Sequence, residues 1–216
     1  MSELFNLERL LLLGPAFLFA ITVHEFSHGY VAYRLGDPTA KLQGRLSFNP
    51  LVHLDLFGTI ALLFVGFGWA KPVPVNPFNF SNPRRDNLWV SLAGPASNFL
   101  SAFAFGLTYR MLEPVLRFPG TGQIVLTMIL LAVWINLVLA VFNLLPFPPL
   151  DGFHILEGLV PESVYPQLES FARVGPLILL GLIMISSFGG VGIFRILFNP
   201  ILSIFGTMFT GHNLAF

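Results

Sequence analysis

His24, Glu25 and His28 place two imidazoles and a carboxylate within five residues of one another, inside an otherwise apolar run. On a helix, residues four apart share a face with their Cβ atoms about 6 Å apart, so both rings can reach one zinc ion. Glu25 directly follows His24 and lies three residues before His28. Its carboxylate can therefore approach water held by that ion, the arrangement of the H-E-x-x-H motif. A carboxylate at bilayer depth costs about 2.5 kcal/mol or more unless paired or hydrated, which weighs against a purely packing role. Two imidazoles do not complete a catalytic zinc site, which takes three protein ligands and a water. The chain has no cysteine, so the third ligand must be His, Asp or Glu. The candidates are His53, Asp55, Asp151, His154, Glu157 and His212. Asp151 stands out because it follows a proline-rich break after an apolar span. Irregular backbone at that depth is tolerated where it lines a site. An aspartate there also serves as a helix N-cap, and spacing alone leaves both roles open.

The elements that must carry these residues are membrane helices. Of 216 residues 55% are hydrophobic and only 10% charged, against about 25% charged in soluble domains. The formal net charge is zero, so nothing points to nucleic acid as a partner. The first apolar run has Glu3, Glu8 and Arg9 ahead of it rather than a basic leader. Cleavage after it would remove His24 and His28, so a retained span is expected. Spans are expected at about 7–35, 88–112 and 124–145, with two more apolar stretches at 174–188 and 193–209. The run 56–69 is too short to cross easily. Lys71-Pro72-Val73-Pro74-Val75-Asn76-Pro77 alternates with proline and should be extended. No internal repeat or low-complexity run is present. The expectation is an all-α polytopic protein with about five transmembrane helices and a re-entrant or hairpin element around 54–77. Residues 1–216 are expected to form one membrane domain, with a core at about 7–160 and C-terminal helices at 174–210.

Three motifs occur in order: His24-Glu25-x-x-His28, Ala93-Gly94-Pro95-x-x-Asn98, and Asn143-x-x-Pro146-x-Pro148-x-Leu150-Asp151-Gly152. Together they resemble the site-2 protease family of intramembrane zinc metalloproteases. Asn49-Pro-Leu-x-His53-x-Asp55-x-x-Gly58-Thr59 and the 71–77 segment resemble its compact members. PDZ-like and CBS modules, and a span ahead of the H-E-x-x-H helix, are not expected in such a form. The resemblance covers about residues 15–160. It implies His24, His28 and Asp151 as ligands of one zinc ion, Glu25 as general base, and Asn143 as a candidate donor to the substrate oxyanion. It also implies a transmembrane protein or peptide as substrate and a bilayer as surroundings. Asn98 reads as an inter-helix hydrogen bonder, and His53 with Asp55 as a polar turn.

A topological constraint follows. His28 lies late in the first span and Asp151 just after the third, so those spans must run parallel for both residues to meet one ion. Residues 56–69 then make no net crossing. Arg34, Lys41, Arg45, Lys71, Arg84 and Arg85 all fall on one side, cytoplasmic by the positive-inside rule. The expected location is a prokaryotic cytoplasmic membrane with zinc toward the cytoplasmic leaflet. The rival reading is a non-catalytic metal-binding protein or a transporter, for which Glu25 would have no use. The 71–77 segment is also a candidate edge for an unwound substrate strand.

Overall fold

The computed structural model describes residues 7–65, 68–188 and 192–215. Its elements are α1 (Leu7–Arg34), α2 (Thr39–Leu42), α3 (Leu56–Val65), α4 (Pro83–Leu116), α5 (Thr121–Asn143), α6 (Asp151–Leu159), α7 (Tyr165–Phe188) and α8 (Ile193–Thr210). Five of these helices are long and apolar enough to cross a membrane: α1, α4, α5, α7 and α8. A helix satisfies its own backbone polar groups, which is why apolar runs of this length take that form in lipid. The described residues include no strand beyond one isolated bridge.

Two helices begin earlier than the apolar pattern indicates. The expected start of the second span was residue 88, but α4 starts at Pro83. Asn82 caps it by accepting a hydrogen bond from Arg85 N at 3.2 Å, and Pro83 fills the first turn, where an N–H would have no partner. Likewise α7 starts at Tyr165, well before residue 174, with Gln167, Glu169 and Arg173 in its first turns. In both cases the polar opening of the helix hides it from a hydropathy reading.

α4 is the central post, packed against α1, α5, α6 and α8. Its register defines the directions of its neighbours. His28 reaches Val90, whereas His24 and Ala20 reach Asn98. Residues rise along α1 as they fall along α4, so the two helices are antiparallel. Asn98 also meets Asn136, and Ala102 packs with Val133 and Leu137 across α4 and α5. The pairing of α4 and α5 is antiparallel too, because the connecting loop is short. Hence α1 and α5 run parallel. α8 closes the core through Phe198, Leu202 and Phe209, and Phe205 meets Phe99 edge-on with ring centroids 4.8 Å apart. Arg110 of α4 donates to the carbonyls of Thr207, Met208 and Phe209, the last turn of α8.

The end of α1 and the start of α4 lie at one end of the bundle, so residues 35–82 make no net crossing. Within them α3 has ten residues, about 15 Å of helix against a hydrocarbon core of about 30 Å. Leu54 and Ala70 pair as an antiparallel bridge, and Lys71 N donates to His53 O at 2.8 Å. The chain therefore returns beside its starting point. Gly58 permits the return, since a Cβ there would lie 2.1 Å from Trp69 O.

The extended segment after this hairpin is locked by Asp37, which is fully buried. Its carboxylate accepts from Thr39 N at 3.0 Å, Asn76 N at 2.7 Å and Asn79 Nδ2 at 2.7 Å, and from the Thr39 hydroxyl. Burial works against the charge, but the donors from Thr39, Asn76 and Asn79 outweigh it and hold the Asp37 carboxyl below its ordinary range. A depressed folded value stabilises above the unfolded pKa and is lost as pH falls through the folded one. The stabilisation should thus be complete at neutral pH and fade below about pH 4. Asp37→Ala should lower stability by about 2 kcal/mol, from stranded donors. Thermal unfolding in detergent at pH 7 and pH 3 checks both: the gap between variant and wild type should narrow at the lower pH.

Candidate metal centre

His24 and His28 project from one face of α1, and Asp151, the first residue of α6, meets both rings. His24 Nε2 lies 3.1 Å from Asp151 Oδ2, and His28 Nε2 lies 3.3 Å from Asp151 Oδ1. The two Nε2 atoms are 3.0 Å apart. A tetrahedral zinc ion with bonds of about 2.0 Å separates its ligand atoms by about 3.3 Å. The spacings between the three side chains are of that size, with Asp151 presenting one oxygen to each ring.

The hydrogen bonds behind the rings say what these atoms carry. His28 Nδ1 lies 2.7 Å from Val90 O, which can only accept, so that nitrogen holds the proton. His24 Nδ1 lies 2.6 Å from Asn98 Oδ1. The Asn98 amide is oriented by its nitrogen, which donates to Ala20 O at 3.0 Å and to Asn136 Oδ1 at 2.9 Å. Asn136 in turn donates to Ala132 O at 2.8 Å. The network thus assigns the Nδ1–H form to both neutral rings. Two nitrogen lone pairs and the carboxylate then face one point with no proton between them. Asp151 Oδ2 is buried and has no hydrogen-bond partner. Three acceptors so placed repel one another unless a cation joins them, which is the donor set a zinc ion takes.

Asp151 does not act as a helix cap. The N-cap of α6 is Leu150, and no side chain caps this end. The Asp151 carboxylate is instead turned toward the two Nε2 atoms. A ligating carboxylate must be ionised.

Glu25 is buried and its Oε2 accepts from Val73 N at 2.8 Å. The 71–77 segment therefore lies against the carboxylate next to the two rings. Gly94 of α4 lies against the same rings: a Cβ there would sit 2.5 Å from His28 Nε2 and 2.6 Å from His24 Nε2. Only a residue without a side chain leaves that space open. Asn143 ends α5 and donates to Leu139 O at 3.0 Å, one turn back on its own helix.

The remaining candidates stand apart from this triangle. Asp55 accepts from Gly58 N at 2.8 Å and caps α3. His53 is fully buried beside Ser47 O at 2.8 Å. His154 pairs with Glu157 at 2.8 Å on α6, and His212 meets Tyr109 and Glu113 near the end of α4. Among the described residues, His24, His28 and Asp151 are the group arranged to hold a metal ion. Asn136, which sequence reasoning passed over, left a signal: an amide in the middle of an apolar span is costly without a partner.

Similarity to known proteins agrees with this geometry. Residues 120–185 match the model of peptidase family M50. The chain is 47% identical over 169 residues to "Putative zinc metalloprotease YwhC" of Bacillus subtilis, an alignment covering 74% of each protein. It is 31% identical over 160 residues to "Putative zinc metalloprotease Rip2" of Mycolicibacterium smegmatis, covering 71% of this chain and 59% of that one. It is 30% identical over 148 residues to "Putative zinc metalloprotease MJ0611" of Methanocaldococcus jannaschii, covering 68% of each. No solved structure matches. The chain is an integral membrane protein of peptidase family M50, the site-2 protease family of zinc metalloproteases.

Proposed function

We propose that this chain hydrolyses peptide bonds in or near transmembrane segments of membrane proteins, with His24, His28 and Asp151 as zinc ligands and Glu25 as general base. The observation that carries this reading is the convergence of two unprotonated Nε2 atoms and the Asp151 carboxylate within 3.0–3.3 Å, beside Glu25. Zinc, when bound, supplies Lewis acidity that brings the pKa of adjacent water to about 7 and polarises a carbonyl. Glu25 takes the proton of the attacking water and passes it to the leaving amine. Val73 N–H holds one Glu25 oxygen in place, which leaves the other for proton transfer. Asn143 spends one N–H on Leu139 O and keeps the second for the developing oxyanion.

A substrate helix must unwind before its carbonyls can be attacked, because they are hydrogen-bonded within the helix. The 71–77 segment is the proposed edge for the unwound strand, and its hydrogen bonds sharpen that idea. The N–H groups of Lys71, Val73 and Asn76 are already engaged, and Pro72 and Pro74 have none. The edge therefore offers mainly carbonyl acceptors. Val75→Pro is the cleaner probe of it, since Val73→Pro would also strip Glu25 of its partner. Unchanged cleavage by Val75→Pro would count against a strand added through that N–H.

The positive residues Arg34, Lys41, Arg45, Lys71, Arg84 and Arg85 flank one end of the bundle, the cytoplasmic end by the positive-inside rule. Zinc then sits toward the cytoplasmic leaflet of a prokaryotic cytoplasmic membrane. Cysteines introduced at positions 41 and 84 should both react with a membrane-impermeant reagent only from the cytoplasmic side. Labelling from opposite sides would overturn the topology. For the activity, purified wild type should contain one zinc per chain and cleave model transmembrane peptides. A protein that binds zinc but cleaves none of a broad peptide panel would favour a non-catalytic role.

A further inference from the structure

A line of hydrogen bonds crosses three spans behind the metal triangle. It runs from His24 Nδ1 on α1 to Asn98 Oδ1 on α4 at 2.6 Å, from Asn98 Nδ2 to Asn136 Oδ1 on α5 at 2.9 Å, and from Asn136 Nδ2 to Ala132 O at 2.8 Å. Asn98 and Asn136 are both fully buried. Every link has one direction. Ala132 O can only accept, so the Asn136 nitrogen faces it and the Asn136 oxygen faces Asn98. The Asn98 nitrogen must then face Asn136 and Ala20, which turns its oxygen to His24. That oxygen can only accept, so His24 Nδ1 keeps the proton and His24 Nε2 presents a lone pair toward Asp151. Reversing the Asn98 amide would set its oxygen against Ala20 O and Asn136 Oδ1, and would favour the His24 form with Nε2–H, which binds no metal through that atom.

We propose that Asn136, a residue of the third span two hydrogen bonds away from His24, is a positioning residue that fixes, through Asn98, the His24 tautomer required for zinc. This rests on the reading of His24 as a ligand. An asparagine in a membrane helix also serves simply to join helices, and the two roles separate by substitution. Asn136→Leu keeps the volume roughly but removes the acceptor. Asn136→Asp, buried and therefore neutral, keeps a C=O for Asn98 and an O–H for Ala132 O.

The test measures zinc affinity by chelator competition and thermal midpoint on purified wild type, Asn136→Leu, Asn136→Asp and His24→Ala. It also follows solvent exchange of the His24 ring N–H by ¹⁵N NMR in the metal-free wild type, where no ion dictates the tautomer. Asn136→Leu should bind zinc about 10-fold more weakly or worse, the usual effect of losing a partner behind a ligand, whereas Asn136→Asp should stay near wild type. In the wild type the His24 proton should be on Nδ1 and slow to exchange. A proton on Nε2 overturns the proposal without recourse to any variant. So does an Asn136→Leu protein whose thermal midpoint falls while its zinc affinity holds, or equal weakening by Leu and Asp. Undiminished zinc affinity in His24→Ala would instead show that the ligand reading itself had failed.

Discussion

Glu25→Gln is expected to keep its zinc and to lose peptide hydrolysis by about 10³-fold, within the range that general acid–base catalysis supplies. Glutamine is nearly isosteric, and its side-chain oxygen can still accept from Val73 N, now 2.8 Å from Glu25 Oε2. The packing of the 71–77 segment against α1 should survive, and neither His24 nor His28 is altered. What disappears is the proton acceptor beside the metal triangle. Zinc content by atomic absorption and cleavage of a model transmembrane peptide, measured on the same preparation, check the two halves. Loss of both zinc and activity would make Glu25 a structural or ligating group. Retention of both would remove it from the mechanism.

Gly94→Ala is expected to weaken zinc binding by at least about 100-fold. The added Cβ would lie 2.5 Å from His28 Nε2 and 2.6 Å from both His24 Nε2 and His24 Cε1, distances real Cβ atoms do not tolerate. Neither ring can easily retreat, because each is held from behind, His24 by Asn98 and His28 by Val90 O. Relief requires α4 to move away from α1 or the rings to turn, and a displacement of about 1 Å in such a constellation costs about 100-fold. In an ordinary helix interior the same change would stabilise by about 1 kcal/mol. The expected outcome is therefore a protein that folds, spans the membrane and binds zinc at least about 100-fold more weakly. Wild-type zinc affinity in Gly94→Ala would mean that the metal does not lie between these rings and α4.

The resemblance of Ala93-Gly94-Pro95-x-x-Asn98 to a family motif marked this stretch, but small residues in a span suggest only that another helix comes close. That it is the imidazole edges of α1 that come close depends on the rotation of two helices about their axes. Asn98 was legible as an inter-helix hydrogen bonder. Its partner on His24 was not, because one amide in a span can face several neighbours. The same limit applies to Asp151, whose roles as ligand and as helix cap are equal by spacing. The helix start at Asp151 with Leu150 as N-cap removes the cap role, and the carboxylate is turned toward His24 and His28.

By itself the sequence determined the class and the local chemistry: apolar runs long enough to span, a helix carrying His24, Glu25 and His28 on one face, and a proline-interrupted return at residues 56–77. These depend on composition and on periodicity along one chain segment, where a residue's neighbours are known from its number. Parallel α1 and α5 were reachable as well, since a shared ion leaves few alternatives. Tertiary structure alone decided which atoms meet across the spans. Val73 N on Glu25, Gly94 against both rings, and the line from Asn136 through Asn98 to His24 all join residues at least 38 positions apart. Each depends on helix rotation and register, which packing of several helices sets together and no single segment encodes.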